Sequence, residues 1–155
     1  MEGPDNGIHI VVAVDESPLT IHLLDEARRI CTSANNVTVV HIVEEIQPSL
    51  LDPLHDTLDR IQTNEQRVLS VDIKNKCEQY FNSRGWFPPY ENVNSDGSET
   101  PSAILTKFVH EKKGGLLIVG QGTSVLDHFL LGSNSLRLAR DCERKFAVLV
   151  VKNIV

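Results

Sequence analysis

IHIVVAV, residues 8–14, is apolar at nearly every position and runs directly into Asp15-Glu16-Ser17-Pro18. A strand with one wet face would alternate apolar and polar residues. A continuous β-branched run predicts a strand covered on both faces, as in a parallel sheet packed between helices. After it, Ser17 can cap a helix with Pro18 in its first turn. Leu23, Leu24, Ala27, Ile30 and Cys31 then recur at helical spacing. SANN, 33–36, closes that helix.

Further strand-like and helix-like stretches alternate along the chain. VTVVHIV, 37–43, reads as a second strand. EEIQPSLLDPLHD, 44–56, has two prolines and no period, and reads as a long surface loop or a short broken helix. From Thr57 to about Phe81, Leu58, Ile61, Leu69, Ile73, Cys77 and Phe81 form one apolar face of a long helix, ended near Gly85. WFPPYENVN, 86–94, is a weak strand whose prolines place it at an edge. Thr100-Pro101 opens a helix with Ile104, Leu105 and Phe108 inward, stopped by Gly114-Gly115. LLIVG, 116–120, is another buried strand. A helix is expected from about Ser135 to Glu143, and FAVLVV, 146–151, is the last strand. The alternation β-α-β-α-β-α-β-α-β predicts an α/β fold with parallel strands, right-handed crossovers and helices on both faces. It predicts a single domain over 1–155, without internal repeats. In such a sheet a ligand sits beyond the carboxyl ends of the strands. The loops beginning at Asp15, Val43 and Gly120 are therefore the ones that matter.

Composition narrows the function. Of 155 residues, 41% are hydrophobic and 23% charged, as in a folded globule. A net charge of -6 argues against a nucleic-acid binder, which shows a basic face, and against a polybasic membrane patch. It leaves room for a phosphate ligand, because backbone N–H groups attract anions without carrying formal charge. MEGPDNGI, 1–8, has no basic start of a secretory signal, and no apolar run has the length of a membrane span. Cys31, Cys77 and Cys142 are odd in number and form no CxxC. Together these predict a reduced, cytoplasmic chain. The sequon at Asn36-Val37-Thr38 then reads as accidental. His9 and His41 lie within strands and read as packed or edge residues. The six histidines show no HExxH or other zinc spacing, and no GxSxG marks a nucleophile. Asp127-His128 reads as solvated loop, and Cys142 as core.

GQGTSVLDHFLLGSNS, 120–135, leads from the LLIV strand into the last expected helix. Gly120 and Gly122 permit a sharp turn and close approach of backbone to ligand. Gly132-Ser133-Asn134-Ser135 stands at a helix start, whose free N–H groups and dipole form an anion site. The same residues also serve as ordinary turns and caps. No GxxxxGK[ST] is present, and GQGTSV lacks the third glycine of GxGxxG.

Over essentially its whole length the sequence resembles the universal stress protein family. The resemblance is carried by VVAVDES (11–17), VVHIVEE (39–45), PSAIL (101–105), LLGS (130–133) and AVLVVK (147–152). It is also carried by Gly122, nine residues, then Gly132-Ser133, which match the family's G-x9-G-[ST]. The resemblance implies a flavodoxin-like, adenine nucleotide alpha hydrolase-like five-stranded sheet of order 3-2-1-4-5. For the ATP-binding branch it implies an adenine nucleotide (ATP, or AMP or ADP) with Mg²⁺ at the carboxyl ends of strands one and four. Ala13 and Asp15 would close strand one, with Asp15 helping to hold the adenosine. Ile42 would line the adenine pocket, and Val119 and Gly120 would sit by base and ribose. Gly122, Gly132, Ser133, Asn134 and Ser135 would receive ribose and phosphates. Strand 146–151 would pair with its copy in a homodimer.

Three departures accompany these matches. Gly120-Gln121-Gly122 is one residue shorter than the family's G-x2-G, Asn134 replaces a commonly apolar residue, and Gly115 stands where Asp is frequent. The loop has no lysine and no evident base to orient water, so a regulatory or protective nucleotide-dependent dimer is expected, with at most slow ATP hydrolysis. The alternatives are a dimeric interaction protein that binds no nucleotide, and an ATP-using enzyme on a related fold. The latter lacks its SGGxD-type loop here.

Overall fold

In a computed structural model of the chain, residues 7–31, 33–44, 53–95, 98–121 and 146–152 are described. Their strands are β1 (Ile10–Ala13), β2 (Val37–Glu44), β3 (Tyr90–Ser95), β4 (Leu116–Gly120) and β5 (Ala147–Val151). Between them run α1 (Thr20–Ile30), α2 (Pro53–Arg84) and α3 (Pro101–Glu111), with a short 3₁₀ turn at Ala34–Asn36. The strands form one sheet of order β3-β2-β1-β4-β5. Every neighbouring pair is parallel, with Val11 opposite Thr38 and Leu117, Ile42 opposite Val93, and Gly120 opposite Val151. This is the expected architecture. The helix expected at 135–143 lies outside the described residues.

Both faces of the sheet are covered, which is why β1 can be apolar at successive positions. Ile10, Val12, Val39 and Ile118 pack beneath Leu23, Leu24 and Ala27 of α1 and Ile73, Cys77, Tyr80 and Phe81 of α2. Val11, Val40, Leu117 and Val119 pack beneath Leu105, Phe108 and Val109 of α3. β3 lies at the edge, as expected, but its two prolines stand just before the strand and not in it. Pro89 has no N–H to donate, but its carbonyl accepts from the Val39 N–H at 2.8 Å.

Several boundaries differ from the sequence reading. α1 starts at Thr20, so Ser17 and Pro18 lie in the preceding turn and Ser17 is not its cap. The reason is local. The Asp15 carboxylate accepts from the Ser17 N–H at 2.9 Å, and Ser17 Oγ accepts from the Leu19 N–H at 3.1 Å. These side chains hold a turn that delays the helix. Ile30 is 49% exposed, because the last turn of α1 carries it off the sheet. α2 begins at Pro53, inside the stretch read as loop or broken helix. A proline at the first helical position lacks only an N–H that would have had no intrahelical partner.

The ends of α2 and α3 follow capping rules. Gly85, at φ 61°, takes the left-handed conformation, and the Trp86 N–H bonds back to the Phe81 carbonyl at 3.2 Å. The Trp86 and Phe81 rings then meet edge to face at 6.0 Å, the apolar contact of a Schellman ending. Thr100 caps α3, its Oγ1 accepting from the Ala103 N–H at 3.2 Å, with Pro101 next. At Gly114 a Cβ would lie 3.0 Å from Val109 Cγ1 and 3.3 Å from Val11 Cγ2. A side chain there would need Val109 and Val11 to give by a few tenths of an ångström.

Candidate functional site

In the observed order β1 lies between β2 and β4. The chain leaves β1 toward β2 on one side, while β4 flanks it on the other. Connections therefore diverge at the carboxyl ends of β1 and β4, which opens a crevice in a doubly wound sheet. Of the ten residues expected to bind nucleotide, five lie within described segments: Ala13, Asp15, Ile42, Val119 and Gly120. Gly122, Gly132, Ser133, Asn134 and Ser135 lie outside the described residues.

Ala13 is the last residue of β1 and Gly120 the last of β4. Val119 is buried, and Ala13 and Ile42 pack partly buried against the same cluster. Ala13, Ile42 and Val119 thus share the α3 side of the sheet, toward its carboxyl end, on three adjacent strands. Their small or aliphatic side chains make that end of the sheet apolar, with Val119 1% exposed.

Asp15 leaves β1 two residues beyond Ala13. Its carboxylate Oδ1 holds the Ser17 N–H. Its carbonyl accepts from the Thr20 hydroxyl at 2.8 Å, and that hydroxyl lies 3.4 Å from the Asp15 N–H. Burial raises the Asp15 carboxyl above its ordinary range; the Ser17 N–H opposes this, Glu16 adds to it and Lys76 opposes it. One oxygen braces the turn, and Oδ2 has no hydrogen bond among the described residues.

Thr20 was missed in the sequence. It is fully buried and closes the Asp15 turn through both backbone groups of that residue. Its only sequence signal is a hydroxyl five residues after a strand-ending Asp, too common a pattern to single out. His41, expected to be packed, is 5% exposed on β2, with Nδ1 buried and unpartnered among the described residues. Burial lowers its pKa; a bond to Asn92 and the charge of Glu16 oppose that shift. His9 bonds Thr38 Oγ1 at 2.9 Å, again a packed role.

Among the described residues no group of three or more His, Cys, Asp or Glu side chains is placed to hold a metal ion. No helix among them is long and apolar enough to cross a membrane. Among the described residues, two clefts lie away from the carboxyl ends of β1 and β4. One, of about 540 Å³, runs between β3 and α3; the other, of about 500 Å³, lies at the opposite end of the sheet.

The model of the universal stress protein family matches residues 8–152. A comparison with curated protein sequences finds no match. Among solved structures, a universal stress protein family member from Burkholderia pseudomallei is 19% identical, with a TM-score of 0.59, over 96% of this chain and 98% of its own. Universal stress protein UspA from Lactobacillus plantarum is 18% identical, with a TM-score of 0.60, over 94% and 99%. A universal stress protein solved in complex with cAMP is 21% identical, with a TM-score of 0.50, over 95% and 98%. At these identities the structures speak for the fold, while the family match spans nearly the whole sequence. The chain belongs to the universal stress protein family.

Proposed function

We propose that this chain holds an adenine nucleotide, ATP with Mg²⁺ in the first instance, at the carboxyl ends of β1 and β4, and acts as a nucleotide-dependent regulatory or protective dimer. The observation that carries the reading is the switch point: β1 and β4 are adjacent and parallel, with Ala13, Ile42 and Val119 on one face at its edge. Further support comes from the segment leaving β4, where Gly122 and Gly132-Ser133 keep the spacing of a family phosphate loop. One structural neighbour was solved with a cyclic adenine nucleotide, which has the same base and ribose. The adenine would lie against the aliphatic face, with Asp15 Oδ2 toward the ribose. The phosphates would meet Gly132, Ser133, Asn134 and Ser135. The reading is of a holder more than a catalyst, because no lysine lies in 120–135.

Calorimetric titration with Mg·ATP tests this. Saturable binding is expected, and Gly132→Val should abolish it by denying the backbone its approach. At a hundredfold excess over Kd, the nucleotide should add about 2.7 kcal/mol of stability, which raises the melting temperature by roughly 5–10 °C. Absence of heat at millimolar ligand, with no thermal shift, sinks the proposal. The second reading, a dimer that binds no nucleotide, is favoured by one observation: the Asp15 carboxylate already has a structural task at Ser17. The same titration separates the two, and a parallel one with cAMP tests for the cyclic nucleotide.

A further inference from the structure

At the other end of the sheet, α1 and α2 finish side by side, next to the amino ends of β2 and β3. The cleft of about 500 Å³ there is lined by Asp25, Arg28, Arg29, Arg84, Gly85 and Trp86. Three guanidiniums on one cleft are unusual in a chain of net charge -6. Part of the reason is helical: arginines in the last turns of α1 and α2 complement the negative ends of the helix dipoles. That accounts for each arginine singly, but not for their convergence.

Their partners differ. Arg29 pairs with Glu26 at 2.6 Å. Arg84 lies over the Tyr80 ring at 3.9 Å and reaches Asp25 at 4.0 Å. Asp25 also accepts the Tyr80 hydroxyl, so its charge is engaged. Arg28 has no ion pair or hydrogen bond among the described residues. Trp86, 6% exposed, forms a wall of the cleft, and its indole N–H is buried without an acceptor among those residues. Gly85 leaves open space beside it.

We propose that this cleft binds a small multivalent oxyanion, held by the fork-shaped donors of Arg28 and Arg84 with Arg29 at the rim. Guanidinium forks match the oxygen spacing of phosphates and carboxylates, and a cleft of this size suits a small molecule. The site is independent of the nucleotide site, from which it is separated by the length of the sheet.

Trp86 is the only tryptophan in the chain, so its emission reports on this cleft alone. The full chain would be titrated with inorganic tripolyphosphate and, separately, with citrate, while tryptophan emission is followed. A saturable change at or below millimolar ligand, weakened by added NaCl, is expected for one anion or both. Tripolyphosphate alone would identify phosphate as the ligand chemistry, and citrate alone carboxylate. Arg28 is exposed, so Arg28→Gln should keep the wild-type circular dichroism spectrum while weakening binding roughly tenfold. Gly132→Val should leave the Trp86 response unchanged, which separates this site from the nucleotide site. No saturable response to either anion overturns the proposal. So does a response that Arg28→Gln leaves at full strength, or one that Gly132→Val removes.

Discussion

Asp15 concentrates the residue-scale argument. As an acceptor it braces the Ser17 turn, and as a buried acid it is held above its ordinary pKa, chiefly by burial. The two properties can be separated by substitution. Asp15→Asn keeps an amide oxygen for the Ser17 N–H and removes the charge. A carboxyl whose pKa is raised on folding contributes stability below its unfolded pKa, and that contribution is lost as pH rises through the folded pKa. Above the folded pKa the ionised Asp15 is therefore a cost, and there Asp15→Asn should be as stable as the wild type or more so. That advantage should fade as pH falls below the unfolded pKa of about 4. Asp15→Ala, which loses the acceptor too, should lose about 1 kcal/mol. Urea unfolding at pH 7 and pH 4 measures all three. If the proposed nucleotide contact is right, both variants weaken Mg·ATP binding; if Asp15 only braces the turn, Asp15→Asn binds normally.

Among elements, α2 departs most from its sequence reading and shows what a pattern can and cannot tell. Its buried stripe, Ile73, Cys77 and Phe81, was legible from spacing, as was its end near Gly85. Its start was not, because Pro48 and Pro53 look alike as letters while Pro53 opens the helix. The burial of Tyr80 and Trp86 was not legible either. Tyr80 meets Asp25, 55 residues away, and burial with that bond pushes its hydroxyl pKa up to about 12. The glycine that ends α2 is testable. Gly85→Ala puts a side chain into open space, so its cost should be conformational only, about 1–2 kcal/mol for a left-handed residue. The melting temperature should fall by roughly 2–8 °C. Gly85→Asn should lose less, since Asn tolerates that conformation. Equal losses for both would show that φ does not govern the site.

For the whole molecule, the question is what lies against β5. It is the last strand in the order, pairing with β4 on one side, and Val148 is 42% exposed. Edge strands of apolar composition invite pairing with another chain. In the proposed dimer the partner is the same strand of a second copy, related by a twofold axis. Lysine is a natural guard of such edges. Val148→Lys should therefore convert a dimer to a monomer in analytical ultracentrifugation while preserving the circular dichroism spectrum. A monomeric wild type at tens of micromolar would remove this interface from the functional proposal.

The amino-acid sequence by itself determined the kinds and order of the elements: continuous β-branched runs for strands buried on both faces, three-to-four spacing for helices. Those signals are local, carried by residues two to four positions apart. The crevice loops at Asp15 and Gly120 were legible for the same reason, since each follows directly on a strand. Tertiary structure decided what depends on residues far apart. It set the register that puts Ala13, Ile42 and Val119 on one face, and the hydroxyl of Thr20 that closes the Asp15 turn. It also gathered Arg28, Arg84 and Trp86 at the opposite end. No spacing in the chain encodes that gathering, because it arises only when α1 and the end of α2 pack on the same side of the sheet.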